Sequence, residues 1–437
     1  MTDRETSEIT PQSVAVFGSA LVGASLNGAT VAMTVIAVFL GQVNKDYGWS
    51  HATIGGAVSF LYLGMAISAP SFGWAVDRYG PRAIALPLTL LSGLLLASFS
   101  VGGGSLLLFY SAHLLLGMAQ TAAVAHSKLL STWFFRRRGI ALTVIGIGTF
   151  IAQIAMPPLA RLLMERFGWQ NAYVAFGAAE LLISYPILFA FFRERKAPAA
   201  GFDVSLIERA ESSEVRPDGA PPIRFRNAVT GRRYWRLLAA QVGITIVFLG
   251  VATHGVGILR ERGLDPITAV WGLSTFALGG LIAQIIAGYL LDRFDTPRVI
   301  VPFAVLTLLS LLLLQFGQGK QIILAAVFLF GFGCSACTPI SYFTTRYFGV
   351  RNFSAIYGSM IPFMVVLAGG APVLFGKIFD FTGSYGWALI AGDITIAAST
   401  VFFMLLDPYP YPDKEPKDES LLHDSSAPMS TSSVEAF

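Results

Sequence analysis

Twelve apolar stretches follow one another along the chain, at approximately 14–42, 52–76, 82–101, 105–131, 139–161, 171–192, 234–260, 266–290, 298–317, 321–345, 353–378 and 386–406. A hydrocarbon core about 30 Å thick is crossed by roughly 20 residues of helix. No water is present there to satisfy a backbone, so only helices or closed barrels span it, and continuous apolar runs without strict alternation specify helices. The composition leaves no stretch for a large soluble domain: the 437 residues are 54% hydrophobic and 13% charged, with a mean hydropathy of +0.64. The expected fold class is an all-α membrane protein with twelve transmembrane helices, and the expected surrounding is a lipid bilayer.

The positive charges between the stretches set the expected orientation. With a cytoplasmic amino terminus, 22 Lys and Arg fall on the inside and 7 on the outside, while Lys128 lies within segment 4. Without the long central loop the split is still 12 to 7. Both obey the positive-inside rule, so both termini are expected to be cytoplasmic. The net charge of +4 is then a matter of topology, and nucleic acid is not an expected partner. Residues 1–13 form the cytoplasmic N-terminus. They are polar and of mixed charge, and the first apolar run is too long for a cleavable leader. Residues 193–233, rich in charge, Pro and Ser, form one long cytoplasmic loop between residues 14–192 and 234–406. The tail 407–437, with three prolines near its start and many Ser, Asp and Glu, is expected to be disordered.

The two halves repeat one another. Segment 2 passes into segment 3 through Gly73-Trp74-Ala75-Val76-Asp77-Arg78-Tyr79-Gly80-Pro81-Arg82, a G-x3-D-R-x-G-x-R turn. Half a chain later Gly288-Tyr289-Leu290-Leu291-Asp292-Arg293 stands in the matching place, with Arg298 beyond it. Gly168-Trp169 and Gly386-Trp387 open segments 6 and 12 alike. Duplicated bundles of this kind place a central site between the repeats.

The two D-R turns, the twelve segments and the long middle loop resemble the major facilitator superfamily over about 390 residues. That resemblance implies two pseudo-symmetric six-helix bundles, with Gly73, Asp77, Arg78, Gly80, Arg82, Asp292 and Arg293 acting in conformational gating. It further implies that segments 1, 4, 7 and 10 line a cavity opened to one side at a time. Tyr47-Gly48-Trp49-Ser50 and Trp133-Phe134-Phe135-Arg136-Arg137-Arg138-Gly139-Ile140-Ala141 are similar to the monocarboxylate transporters and the bacterial oxalate:formate antiporters. Members of those families that carry anions place an arginine where this chain has Gln284, and some place lysines where it has Thr34 and Met360.

Polar side chains at membrane depth are costly, which makes each a candidate for function. Substrate-binding candidates are Asn27, Gln120, His126, Gln153, His254, Gln284 and Tyr357; each also reads as helix-to-helix glue or, for His254, as a group reaching outer water. His113 and Gln120, seven residues apart, share nearly one helical face, and Lys128 also reads as snorkelling. His126, His254, Glu180 and Asp393 are the proton-coupling candidates. Pro157-Pro158 and Pro362 with Gly369-Gly370 are helix breakers at corresponding points of the halves. Cys334 and Cys337, on one helix face in an apolar run, read as packing residues and not as metal ligands.

No G-x4-G-K-[ST] loop, H-E-x-x-H motif or nucleophile-base constellation is present, so neither ATP drive, a cofactor, a metal nor an enzyme is expected. The leading expectation is a secondary active transporter of a small organic acid, monocarboxylate-like or aromatic, in a bacterial inner membrane or a plasma membrane. It would work by proton symport or exchange, as a monomer. The alternatives are an exporter of apolar, drug-like compounds and a non-transporting substrate sensor of the same fold.

Overall fold

The computed structural model describes residues 10–409 apart from 103, 121, 135–137, 195–224, 295, 337–339 and 349–352. Most of the N-terminus, the central loop and the tail singled out above therefore lie outside the described residues. So do the surroundings of the gating candidate Gly73 and the side chains of Asp77 and Asp292, all three helical in backbone.

Ten helices among the described residues are long and apolar enough to cross a membrane, and two shorter apolar ones, Leu106–Ala119 and Lys320–Ser335, stand in the places of segments 4 and 10. Each short helix is continued by a second, Ala122–Trp133 and Ile340–Phe348. Between residues 11 and 191, segment 2 packs on 4, segment 3 on 6 and segment 1 on 5; between 225 and 404, segment 8 packs on 10, segment 9 on 12 and segment 7 on 11. The two sets of contacts are the same set, shifted by six segments.

Helices in lipid gain nothing from burying leucine against leucine, so close van der Waals approach must hold them. Glycine permits it at matching points. A Cβ on Gly64 would meet the carbonyl of Leu114, and one on Gly117 the carbonyl of Leu61, locking segments 2 and 4 reciprocally. Gly279 and Phe328, with Gly331 and Phe276, do the same for segments 8 and 10.

Apart from those of segments 4 and 10, the helix breaks are not duplicated. Segment 1 is two helices, Pro11–Ser25 and Gly28–Tyr47, because Asn27 turns extended (φ −62°, ψ 127°) and its side chain accepts from the N–H groups of Ala29 and Thr30 at 3.1 and 3.3 Å. Segment 7, its counterpart, runs unbroken from Arg232 to Glu261. Segment 5 is continuous from Arg138 to Phe167 despite Pro157 and Pro158, whereas segment 11 is interrupted at Gly370 between Phe353–Gly369 and Ala371–Thr382. Pro372 near the start of that second helix suits a helix opening, where its missing N–H goes unused.

The first D-R turn reverses at Gly80, whose φ of 87° suits glycine. Arg82 donates to the Phe189 carbonyl at 2.7 Å and lies over its ring, tying the turn to the end of segment 6. Arg78 lies over Trp74 and Tyr79, and in the second turn Arg293 donates to Tyr289 at 3.3 Å.

Candidate functional site: the seam between the two halves

Segments 2 and 11 form one seam between the halves and segments 5 and 8 the other, with segments 1 and 7 meeting between them. At the end of the bundle away from the termini the first seam is backbone on backbone. A Cβ on Gly55 would stand 2.7 Å from the Pro372 carbonyl oxygen, and one on Gly376 would enter the backbone of His51 and Ala52. Ser59 donates to the Gly369 carbonyl, which lies beside the break in segment 11.

Asp380 closes this seam. One carboxylate oxygen accepts from the His51 N–H at 3.0 Å and sits 3.2 Å from His51 Nδ1; the other accepts from the Ala52 N–H at 3.0 Å. A residue of segment 11 thus caps the N-terminus of segment 2, where unpaired N–H groups and the helix dipole favour a carboxylate. Beneath it, His254 of segment 7 bonds the Pro372 carbonyl through Nε2 at 2.8 Å. A carbonyl only accepts, so Nε2 carries the proton and Nδ1 accepts from the Tyr385 hydroxyl at 3.1 Å. Burial, reinforced by the charges of Asp380 and Glu261, holds the Tyr385 phenol well above its usual range and keeps it a donor.

At the termini end the described parts of the halves separate. Among the described residues, helices 11–25 and 122–133 of one half share no more than scattered contact with 225–230 and 340–348 of the other. The second seam runs partway toward that end. Ser274 donates to the Ile154 carbonyl at 2.7 Å, Gly280 lies against Phe150, and the exposed amide of Gln284 lies beside Gly146.

Between the seams, a cavity of about 40 Å³ is lined by Met33, Thr34, Gln153, Pro157, Phe248, Ala252, Leu273 and Phe276. It draws on segments 1, 5, 7 and 8. Phe248 and Phe276 present tilted rings 5.3 Å apart, while Gln153 and Thr34 supply the polar atoms. No charged residue is among its lining residues.

The other candidates fall into separate places. Asn27, Gln120 and His126 line a smaller cavity of about 20 Å³ within the N-terminal half, where Gln120 lies within 3.5 Å of the Thr30 hydroxyl and His126 packs edge-on to Phe192. Glu180 is 1% exposed, accepts from the Ser92 hydroxyl and lies against Gly28, at a single wide π-turn of segment 6. Tyr357 packs against the core of the C-terminal half, and Asp393 accepts from Gln315 on the peripheral segments 9 and 12. His113 turns away from Gln120: its Nδ1 donates to the Phe109 carbonyl at 2.8 Å and its ring packs on Phe99. Lys128 donates to the Val76 carbonyl at 3.0 Å.

Sequence reasoning missed Asp380, His51 and Gln241. Asp380 and its partner stand 329 residues apart, so no local signal joins them. Gln241 is wholly buried in segment 7, and neither amide atom finds a partner among the described residues; its position in segment 7 could have marked it.

The sequence profile of the Major Facilitator Superfamily matches residues 20–256 and 255–433. Monocarboxylate transporter 13 of Bos taurus is 26% identical over 359 residues, covering 78% of each chain. The gallate transporter of Pseudomonas putida is 26% identical over 376 residues, covering 76% of this chain and 81% of its own. Among solved structures, that of a D-xylose-proton symporter superposes with a TM-score of 0.68 at 13% identity, over 91% of this chain and 98% of the other.

Proposed function

The chain belongs to the major facilitator superfamily, an integral membrane transporter of small molecules, and on that footing we propose that it carries a small organic acid bearing an apolar or aromatic body, together with a proton. The observation that carries this reading is the lining at the meeting of segments 1, 5, 7 and 8, where Phe248 and Phe276 stand with Gln153 and Thr34; the cavity of about 40 Å³ there is smaller than an aromatic acid and would widen as the halves rock. The rings suit an apolar body, and the amide and hydroxyl suit a carboxyl group. The names of two relatives, a monocarboxylate transporter and a gallate transporter, point to this class.

The absence of a cation among the lining residues gives the proton its role. A bare carboxylate held there would cost several kcal/mol by desolvation, whereas the protonated acid costs only what its hydrogen bonds do not return. Substrate and proton then cross as one neutral pair. In proteoliposomes, uptake of radiolabelled benzoate is expected to follow an inwardly directed proton gradient and to collapse with a protonophore. Uptake indifferent to the gradient removes the proton from the scheme. Gln153→Ala is expected to raise the benzoate KM by roughly tenfold, the loss of one hydrogen bond to substrate.

Alternating access supplies the mechanism. The state described here is sealed at the Asp380 end and, among the described residues, parted at the other, and the positive-inside distribution supports a cytoplasmic placement of the parted end. Rocking the halves about segments 1, 5, 7 and 8 would part the Asp380 seam. Asp380→Ala removes a helix cap present only when that end is sealed, a loss of about 1 kcal/mol, so the far end is expected to open about fivefold more often. Cysteine substituted for Thr34, labelled from the far face by an impermeant thiol reagent, reads this directly; an unchanged labelling rate argues against the latch. The same uncharged lining favours one second reading, an exporter of apolar compounds. Protection of a drug-sensitive host, with no uptake of acids, would select it.

A further inference from the structure

Above the sealed seam lies a vestibule of about 470 Å³ that the transport reading does not use. Its floor is the latch, with His51, Phe379 and Tyr385, and its walls carry Lys45 from segment 1, Arg161 from segment 5 and Arg260 from segment 7. Both halves contribute cations to one space. The single acidic residue lining it, Glu261, is already occupied, accepting from the Ser384 hydroxyl and from the Tyr385 N–H at 2.8 Å. Arg161 meets Glu165 one turn on through Nη2, but its Nε is buried without a hydrogen bond. Neither Lys45 nor Arg260 forms an ion pair among the described residues.

We propose that this vestibule is a second binding site, a receiving site for a small carboxylate anion on the far face of the protein. It rests on the acid-transport reading and deepens it. In neutral solution a carboxylic acid is almost entirely ionised, so the form that reaches the protein is an anion, which the uncharged central cavity would reject. A cleft lined by Lys45, Arg161 and Arg260 attracts the anion and raises its local concentration. The volume is that of a small-molecule site. The anion rests on the His51 side of the latch.

The test uses Gly41, which lines the vestibule and has nothing within 4 Å of an added Cβ. Gly41→Cys, in the full chain with Cys334 and Cys337 replaced by serine, is labelled with uncharged N-ethylmaleimide. Benzoate is expected to slow labelling about fivefold and benzamide, its neutral counterpart, not at all. Adding Lys45→Gln and Arg260→Gln is expected to abolish that protection and to raise the benzoate KM from the far face by about five- to tenfold, while the KM from the termini face stays unchanged. Lys45→Arg with Arg260→Lys should retain protection. Equal protection by benzamide, protection that survives the double substitution, or an equal KM change at both faces overturns the site. The acid-transport reading fails separately, when wild-type vesicles take up no carboxylate; protection of the cysteine by benzoate decides the vestibule independently of flux.

Discussion

A leucine in place of Gly376 is expected to leave the protein folded in the membrane and to abolish benzoate counterflow. In the state described here an added Cβ at Gly376 enters the backbone of His51 and Ala52, and backbone cannot rotate aside. Overpacking of this kind costs about 3 kcal/mol or more, which shifts the balance between sealed and parted far ends by roughly a hundredfold. Only the sealed state bears the cost, because segments 2 and 11 belong to different halves. Thermal stability should therefore fall little. Cysteine at position 34 should react freely from the far face and hardly at all from the termini face. A Gly376→Leu protein that still exchanges benzoate at the wild-type rate would refute the assignment of this seam as a gate, and one that aggregates would place Gly376 in the folding core instead.

The second large effect lies inside the halves. Gly117→Leu drives a side chain into the carbonyl of Leu61, and Gly331→Leu does the same at Phe276. Each contact joins helices of one bundle, so no movement of the halves relieves it. Each is expected to lower the melting temperature by about 5 to 10 °C, and transport should fall with the amount of folded protein. Gly288 gives the contrast. It opens the second D-R turn, yet an added Cβ there meets nothing within 4 Å. Gly288→Leu is expected to change stability by no more than about 0.5 kcal/mol. Should Gly288→Leu prove as damaging as Gly117→Leu, close approach of helices would not be what holds the bundles.

The number of crossings and the duplication were legible because length and polarity carry them: twelve apolar runs need twelve helices, and the D-R turns fall where the repeat puts them. Helix interruptions were only partly legible. Pro157-Pro158 invited a break that segment 5 does not make, while Asn27, read as a buried polar group, turned out to be the cap that opens the second helix of segment 1. An asparagine in an apolar run is ambiguous until its amide oxygen is seen to accept two N–H bonds. The candidates scattered for a similar reason. Gln153 and Gln284 came to the seams, while Gln120 and His126 face a pocket inside one half, because a residue's position along a helix does not fix which neighbour it meets. Asp380 was invisible, since its partners are main-chain groups on the other half of the molecule.

A carboxylate that grips main-chain N–H groups makes few demands on the sequence it grips. The groups of His51 and Ala52 that Asp380 seizes would be offered by almost any pair of residues at a helix start. Side chains further along the same helix are thereby released from the duty of closure. Under the proposed gating, solute preference can drift through mutation while closure still falls on the same two amides.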